Sequence, residues 1–312
     1  MRHQPDILVT GGAGFIGSHI CESLLSRGHV IRVLDDLSCG KAENLPKHDN
    51  LEFVSGDIRK KQDCTKALDG VRHCIHLAGK VSVPYSIEHP EESANINILG
   101  FVTLLQAARN AGVERIIYAS SAAVYGNPGP APAIETQSLK PISPYGLEKL
   151  VMEQYADLFS STCDFSTLGL RFFNVYGPRQ DPLSPYSGVI TKFMQRISAS
   201  KPLIINGGGL QTRDFIHVSD VAELACDAVV GDACGVCNVG TGESISLLKL
   251  VDAIQANVRH NIHVVHEPDS AADIRQSCAN TEHMTALLGS RTFITIEEGL
   301  ISVLPPEASQ HS

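Results

Sequence analysis

No run of about 18 uninterrupted apolar residues, the length a membrane-spanning helix needs, occurs anywhere in this sequence. The N-terminus, Met1-Arg2-His3-Gln4-Pro5-Asp6, has neither a long hydrophobic stretch nor a small-residue cleavage site, so no targeting signal is read and a cytoplasmic location is expected. Positive charge is scarce, with 25 Lys and Arg against 34 Asp and Glu giving a formal net charge of -9. Such a balance repels phosphate backbones and anionic headgroups at long range, which argues against nucleic acid or a membrane as partner. A small anionic ligand remains compatible, because short-range bonds from glycine amides and one or two Arg outweigh a screened net charge. Repeats and low-complexity tracts are absent, apart from a polar tail after Pro305. Paired cysteines are also wanting: the nine Cys are scattered and odd in number, the pattern of reduced thiols. Cys234-Gly235-Val236-Cys237 forms a CxxC, but with no second CxxC and no zinc-spaced His pair it reads as structural. His217 and the cluster His260, His263 and His266 lack the spacing and carboxylate company of metal ligands, so no metal is expected.

What is present points to a compact enzyme-sized protein. With 312 residues, 43% hydrophobic and 19% charged, the chain suits a principal domain and a smaller one. Short apolar runs at 7–10, 30–34, 51–54, 71–77, 115–119 and 166–171 read as strands, and amphipathic segments at 18–27, 95–110 and 145–159 as helices. Strands alternating with helices of this length imply right-handed crossovers and an α/β, doubly wound parallel sheet. From Gly177 onward, Pro178, Pro182, Pro185, Pro202 and Gly207-Gly208-Gly209 punctuate the chain, marking a second, smaller mixed α/β lobe. Residues 214–239 again read as strand, helix, strand, so the expected division is residues 1–176 with a return segment near 214–240, and 177–312.

Two local patterns carry chemistry. Residues 10–17, Thr-Gly-Gly-Ala-Gly-Phe-Ile-Gly, open a helix directly after the first strand. Gly11, Gly14 and Gly17 allow a tight turn, close approach to a pyrophosphate, and close helix packing, with phosphates at the helix N-terminus. Asp35 ends the next strand, where a carboxylate accepts from a ribose diol and repels a 2'-phosphate, favouring NAD over NADP. Asp36 beside it also reads as a strand-end turn residue, and Asp57-Ile58 are placed to meet the adenine edge. The second pattern is Tyr145 and Lys149, one helical turn apart on one face. A nearby ammonium favours the phenolate and draws the Tyr pKa towards neutrality, and Lys149 can also hold the nicotinamide ribose.

These words, with LDDLS at 34–38, HLAG at 76–79, SSAAVYG at 120–126, RFFNVYGPRQDPLSPYSGVI at 171–190 and QTRDFIHVSDV at 211–221, make the chain resemble the extended short-chain dehydrogenases. Within them it is similar to the UDP-glucose 4-epimerase family, along nearly its whole length. The resemblance implies a Rossmann domain and a substrate-binding lobe, NAD as cofactor, a UDP-sugar as substrate, and a homodimer paired through helices near 95–109 and 145–159. It implies cofactor contacts from Gly11, Gly14, Phe15, Ile16 and Gly17, from Asp35, Asp36, Ser38 and Gly40, and from Asp57 and Ile58. Further cofactor contacts fall on Leu77, Ala78, Gly79, Asn97, Ser120, Tyr145, Lys149 and Phe172. Tyr145, Lys149 and Ser121 become the catalytic set, Tyr145 taking the 4-hydroxyl proton as hydride leaves C4, with Ser121 sharing that proton. Ser82, Ser121, Tyr145, Asn174, Val189, Arg213, Asp273 and Ser277 become the substrate set, Arg213 pairing with the pyrophosphate as a guanidinium fork. The family's second phosphate arginine is missing, since the matching stretch reads Ser270-Ala271-Ala272-Asp273; Arg275 is the nearest replacement. Just beyond, Ser277 occupies a position where bulk restricts the sugar, and its small size implies tolerance of a 2-acetamido group.

Nucleotide-sugar dehydratases and decarboxylases share this scaffold but carry acid and base residues after the active-site Ser or Thr. Here Ala122-Ala123 stand there, and two methyl groups transfer no protons. The 3,5-epimerase cysteine would fall at Ala123. UDP-glucuronate 4-epimerisation uses the same Ser, Tyr and Lys and stays open as the alternative, as does a sensor that has lost catalysis.

Overall fold

The structure, a computed structural model, describes residues 4–182, 187–259, 261–268 and 274–305. In chain order the strands are β1 (Ile7–Thr10), β2 (Ile31–Asp35), β3 (Leu51–Ser55), β4 (His73–His76), β5 (Arg115–Ser121) and β6 (Ser166–Phe172). They continue with β7 (Asn174–Tyr176), β8 (Leu203–Asn206), β9 (Thr212–His217), β10 (Gly235–Val239), β11 (Ser244–Ser246) and β12 (Val264–Glu267). Seven of them form one parallel sheet in the order β10-β6-β5-β4-β1-β2-β3. The order reverses between β1 and β4, and the carboxyl ends of those two strands open the crevice where such sheets bind dinucleotides.

Why the sheet forms follows from its inner strands, whose residues are buried on both faces as parallel strands require. Alternate side chains go to opposite layers: Ile7 and Val9 join Ile20, Leu24, Val221 and Leu224 on one face, and Leu8 joins Leu104, Phe101 and Met152 on the other. The first face is covered by helices Phe15–Ser26 and Val218–Val230, the second by Lys61–Leu68, Gly100–Ala111 and Pro144–Thr162. A separate cluster, including Phe193, Leu203, Phe215 and Leu250, holds the remaining strands: β11-β9-β7 in one sheet and β12-β8 in another.

Two sequence readings change in detail. The strand-helix-strand segment at 214–239 divides between layers, because β9 joins the small sheet while helix Val218–Val230 and β10 return to the large one. The helix read as continuous from 95 to 110 begins with a wide turn over Asn95–Leu99, which accommodates one extra residue per turn and leaves Asn97 fully buried, before ordinary helix resumes at Gly100.

A buried ion pair ties these layers below the crevice. Arg171 on β6 donates from Nε to Glu153 Oε1 at 2.8 Å and from Nη2 to Oε2 at 2.7 Å, and its Nη1 donates to the Tyr125 hydroxyl at 2.8 Å. The Tyr125 hydroxyl passes the chain on to Asn238 Oδ1 at 2.6 Å, linking β6 to β10. Removing one partner of such a pair leaves an uncompensated buried charge, so Glu153→Ala should cost about 3–5 kcal/mol. Urea unfolding checks this, the midpoint falling at unchanged slope.

Candidate active site

The glycine turn is built by steric necessity. Gly11 has φ +71°, and a Cβ there would lie 2.6 Å from Ala78 N, so the ends of β1 and β4 meet only because no side chain intervenes. A Cβ on Gly17 would overlap the Gly11 carbonyl oxygen, whereas one on Gly14 would touch only that oxygen, at 3.2 Å. Gly14 caps helix Phe15–Ser26 with no side-chain bond, and the Phe15 and Ile16 N–H groups find no acceptor among the described residues. Two free donors at the positive end of a helix, beside a glycine whose α-carbon is open, fit a diphosphate.

The cleft that opens there is lined by the expected Gly11, Gly14, Asp35, Asp36, Ser38 and Gly40, and across it by Asp57, Ile58, Leu77, Ala78 and Gly79. Asp35 also fastens the turn, Oδ2 accepting from Ala13 N at 2.9 Å and Oδ1 from Leu37 N at 2.8 Å. Burial raises its pKa and these two bonds oppose the rise. Asp57 is drawn down by its bond from the Arg59 guanidinium. Asn97 stands behind the cleft wall, accepting from Lys80 N at 2.8 Å and donating to Lys80 O at 3.0 Å. Ser120 and Phe172 are held elsewhere: the Ser120 hydroxyl donates to Glu153 Oε1, and Phe172 packs in the core beside β10. Sequence reasoning missed Lys80, Cys39, Gly56 and Arg59, which also line the cleft. Lys80 directly follows the HLAG word, and that adjacency was the available signal.

At the carboxyl end of β5 the three residues expected to be catalytic lie close together. Ser143 caps helix Pro144–Thr162 through the Gly146 N–H, and Tyr145 N donates to Ser86 Oγ at 3.0 Å, which fixes the helix start. The Tyr145 hydroxyl is close enough to Ser121 for that residue to favour its ionisation, and Ser121 Oγ accepts from Ala123 N at 3.1 Å. Lys149 Nζ donates to Ala119 O at 2.9 Å and lies 5.8 Å from the Tyr145 ring centre. Both side chains are buried, and burial dominates their titration. It pushes Tyr145 up to about 12, with Ser121 opposing, and draws Lys149 down to about 8, with Glu148 and Glu153 opposing. The sequence expectation that Lys149 lowers the phenol pKa is therefore not met within the protein itself, because the ammonium is turned to a backbone carbonyl and desolvation outweighs it.

Asn174, Val189, Arg213 and Ser277 fall on the small-sheet side. Phe172 lies opposite Ser121 in the β5–β6 register, and the chain runs on through Phe173 to Asn174, which pairs with Phe215 on β9. Arg213, two residues before Phe215, donates to Ile274 O at 2.6 Å and Thr212 O at 2.8 Å. Ser277 N donates to Thr212 O at 3.2 Å, bringing that buried residue beside the Arg213 strand, and the Arg275 side chain nearby is exposed. Val189 starts helix Val189–Ser198, while Ser82 caps helix Val83–Glu88 through Tyr85 N. Asp273, His260 and residues 183–186 lie outside the described residues. No group of three or more His, Cys, Asp or Glu able to hold a metal occurs among the described residues. All nine cysteines are free, and no described helix is long and apolar enough to cross a membrane. Gly17→Ala must displace the turn, so dinucleotide affinity should fall by about tenfold or more at unchanged helix content; titration calorimetry and circular dichroism read the two.

Comparison with known proteins agrees with this geometry. The profile of the NAD dependent epimerase/dehydratase family matches residues 7–240. A UDP-glucose 4-epimerase of Mycolicibacterium smegmatis is 37% identical over 301 residues, covering 94% of this chain and 95% of that one. Among solved structures, the UDP-N-acetylglucosamine 4-epimerase of Methanobrevibacter ruminantium in complex with UDP-N-acetylmuramic acid is 35% identical with TM-score 0.91, covering 96% of this chain and 97% of that one. The Thermus thermophilus UDP-glucose 4-epimerase complex with NAD is likewise 35% identical, with TM-score 0.88 and coverage of 96% and 97%. A glycine turn that only glycine can make, a cleft with two unsatisfied helix amides, and a buried Tyr-Lys pair at its head thus coincide with a profile match over most of the sequence: the chain belongs to the NAD dependent epimerase/dehydratase family.

Proposed function

We propose that the protein is an NAD-dependent isomerase that inverts C4 of UDP-hexoses, acting on UDP-glucose and UDP-galactose and on their N-acetylated counterparts. The observation that carries this reading is the buried Tyr145 and Lys149 one helical turn apart, with Ser121 beside the phenol and Lys149 Nζ next to Gly79 of the dinucleotide cleft. NAD, when bound, supplies a hydride acceptor that becomes a hydride donor within the same turnover. Tyr145 accepts the proton of the 4-hydroxyl and Ser121 shares it, leaving a 4-keto sugar. Lys149 holds the nicotinamide ribose, and Asp35 holds the adenosine ribose and excludes a 2'-phosphate. After the ketone turns over, Tyr145 returns its proton to the oxygen on the other side, so no net oxidation occurs. Ala122 and Ala123 follow Ser121 directly and offer no acid or base for elimination.

On the nucleotide-sugar side we assign diphosphate contacts to Asn174 and Arg213, the wall of the nucleotide pocket to Val189, and further sugar-side contacts to Ser82 and Asp273. Arg275 takes the place of the missing second arginine. Ser277 leaves room for a 2-acetamido group, in keeping with relatives named for glucose and for N-acetylglucosamine. Residues 1–176 with the return segment near 214–240 serve the cofactor, and 177–312 the sugar nucleotide. The nine unpaired thiols suit the reducing cytoplasm. A homodimer forms through helix Pro144–Thr162, whose Leu147, Tyr155 and Leu158 are exposed on one face near exposed Leu99.

Incubation with UDP-glucose, UDP-N-acetylglucosamine and UDP-glucuronate separately, followed by NMR of the C4 proton, should give inversion of the first two; inversion of the glucuronate alone would overturn the substrate assignment. Tyr145→Phe should lower turnover roughly 10²–10⁴-fold with NAD still bound. Sedimentation should find a dimer that Leu158→Glu converts to monomers, and a monomeric parent protein would refute the pairing.

A further inference from the structure

Glu148 lies between Tyr145 and Lys149 in sequence and none of the assigned roles uses it. It is 3% exposed. Its Oε2 accepts from Ser93 Oγ at 2.9 Å and from Asn97 Nδ2 at 2.6 Å, while Oε1 has no hydrogen-bond partner and the residue no ion-pair partner among the described residues. An unpaired carboxylate in such a place is costly unless its charge is used. Two bonds to neutral donors do not require that charge, since an amide oxygen would accept them.

The surroundings say what the charge acts on. Tyr145 meets Ser121 at the end of β5 and Ser86 from helix Val83–Glu88. Lys149 meets the Ala119 carbonyl of β5, and its charge reaches His76 on β4, which burial has already drawn down to about 3. Glu153, on the next turn, is engaged by Arg171 of β6. Lys80, beyond Asn97, turns its Nζ to Cys39 Sγ at 3.6 Å and over the Tyr85 ring. Glu148 is therefore the carboxylate beside the Tyr-Lys pair that no arginine or lysine bonds among the described residues. Its second oxygen bond fixes which way the Asn97 amide points, and Asn97 in turn grips both the N–H and the carbonyl of Lys80 on the cleft wall.

Resting on the 4-epimerase reading above, we propose that Glu148 is a positioning residue for this reaction: its carboxylate counterbalances the Lys149 ammonium and, through Asn97, holds the Lys80 segment against the cofactor cleft. The charge raises the pKa of Tyr145 and of Lys149 alike, in the same direction as burial for the phenol and against it for the amine. Removing it moves both titrations down together. The acid limb of the rate profile, where Tyr145 gains its proton, and the alkaline limb, where Lys149 loses its own, both move to lower pH.

Glu148→Gln in the holoenzyme, followed by kcat/KM across pH, should shift both limbs down by roughly one unit. The fraction of NAD retained after gel filtration should fall at correspondingly lower pH, because Lys149 is neutral sooner. Glu148→Asp, which keeps the charge and shortens the reach to Asn97, should leave the limbs near those of the parent and lower NAD retention at all pH values. A Gln variant with a lower rate but unmoved limbs, or an Asp variant that shifts as far as the Gln variant, would overturn the proposal. Retention is read without turnover, so a protein inactive on UDP-sugars but with shifted NAD retention sinks the epimerase reading and leaves the Glu148 effect intact.

Discussion

A lysine ammonium kept out of water beside a buried phenol is the constraint on which the rest of this structure turns. Burial is the largest influence on both groups, leaving Lys149 drawn down to about 8 and Tyr145 pushed up to about 12, the wrong direction for a base that must work near neutrality. The protein contributes a carbonyl for the amine, Ser121 beside the phenol, and two carboxylates, Glu148 and Glu153, that favour the charged amine. What remains is a site that the protein alone leaves short of activation. NAD, when bound, would supply a nicotinamide cation, a charge that would favour the Tyr145 phenolate.

The scaffold supplies this arrangement economically. Gly11 lets β1 and β4 converge, so the crevice at the strand-order reversal sits directly beside the end of β5 that carries Ser121. Parallel pairing of β5 with β6 then sets Phe172 opposite Ser121, and two residues later the chain is already in the small sheet at Asn174. The chain passes between the two sheets at this β6–β7 junction and again after β9 and after β10. The buried Arg171–Glu153 pair lies just beneath it and commits the Ser120 hydroxyl, leaving the adjacent Ser121 for Tyr145.

The parts of this site that were legible in the sequence are those encoded by local geometry. A strand, glycine turn and helix follow each other directly at 7–26, and Tyr145 and Lys149 are fixed one turn apart by the helix itself. Less legible were features that depend on what folds against them. Neighbouring strand residues face opposite ways, so the Ser120 hydroxyl goes to Glu153 while Ser121 turns to the other side, a division that depends on the helix packed against the strand. Lys80 and Cys39 meet only because separate strand ends flank one cleft. The sign of the Tyr145 shift was misjudged because sequence spacing gives the distance of a charge but not the depth of burial, and desolvation was the larger influence.

A closed oxidation and reduction at a single carbon is the central claim, and the fate of the hydrogen on that carbon tests it most directly. UDP-glucose deuterated at C4, turned over in ordinary water, should give UDP-galactose that keeps its deuterium at C4. Product carrying solvent hydrogen there would mean that C4 exchanges as a proton instead, and would contradict the account built on Tyr145, Lys149 and the dinucleotide cleft.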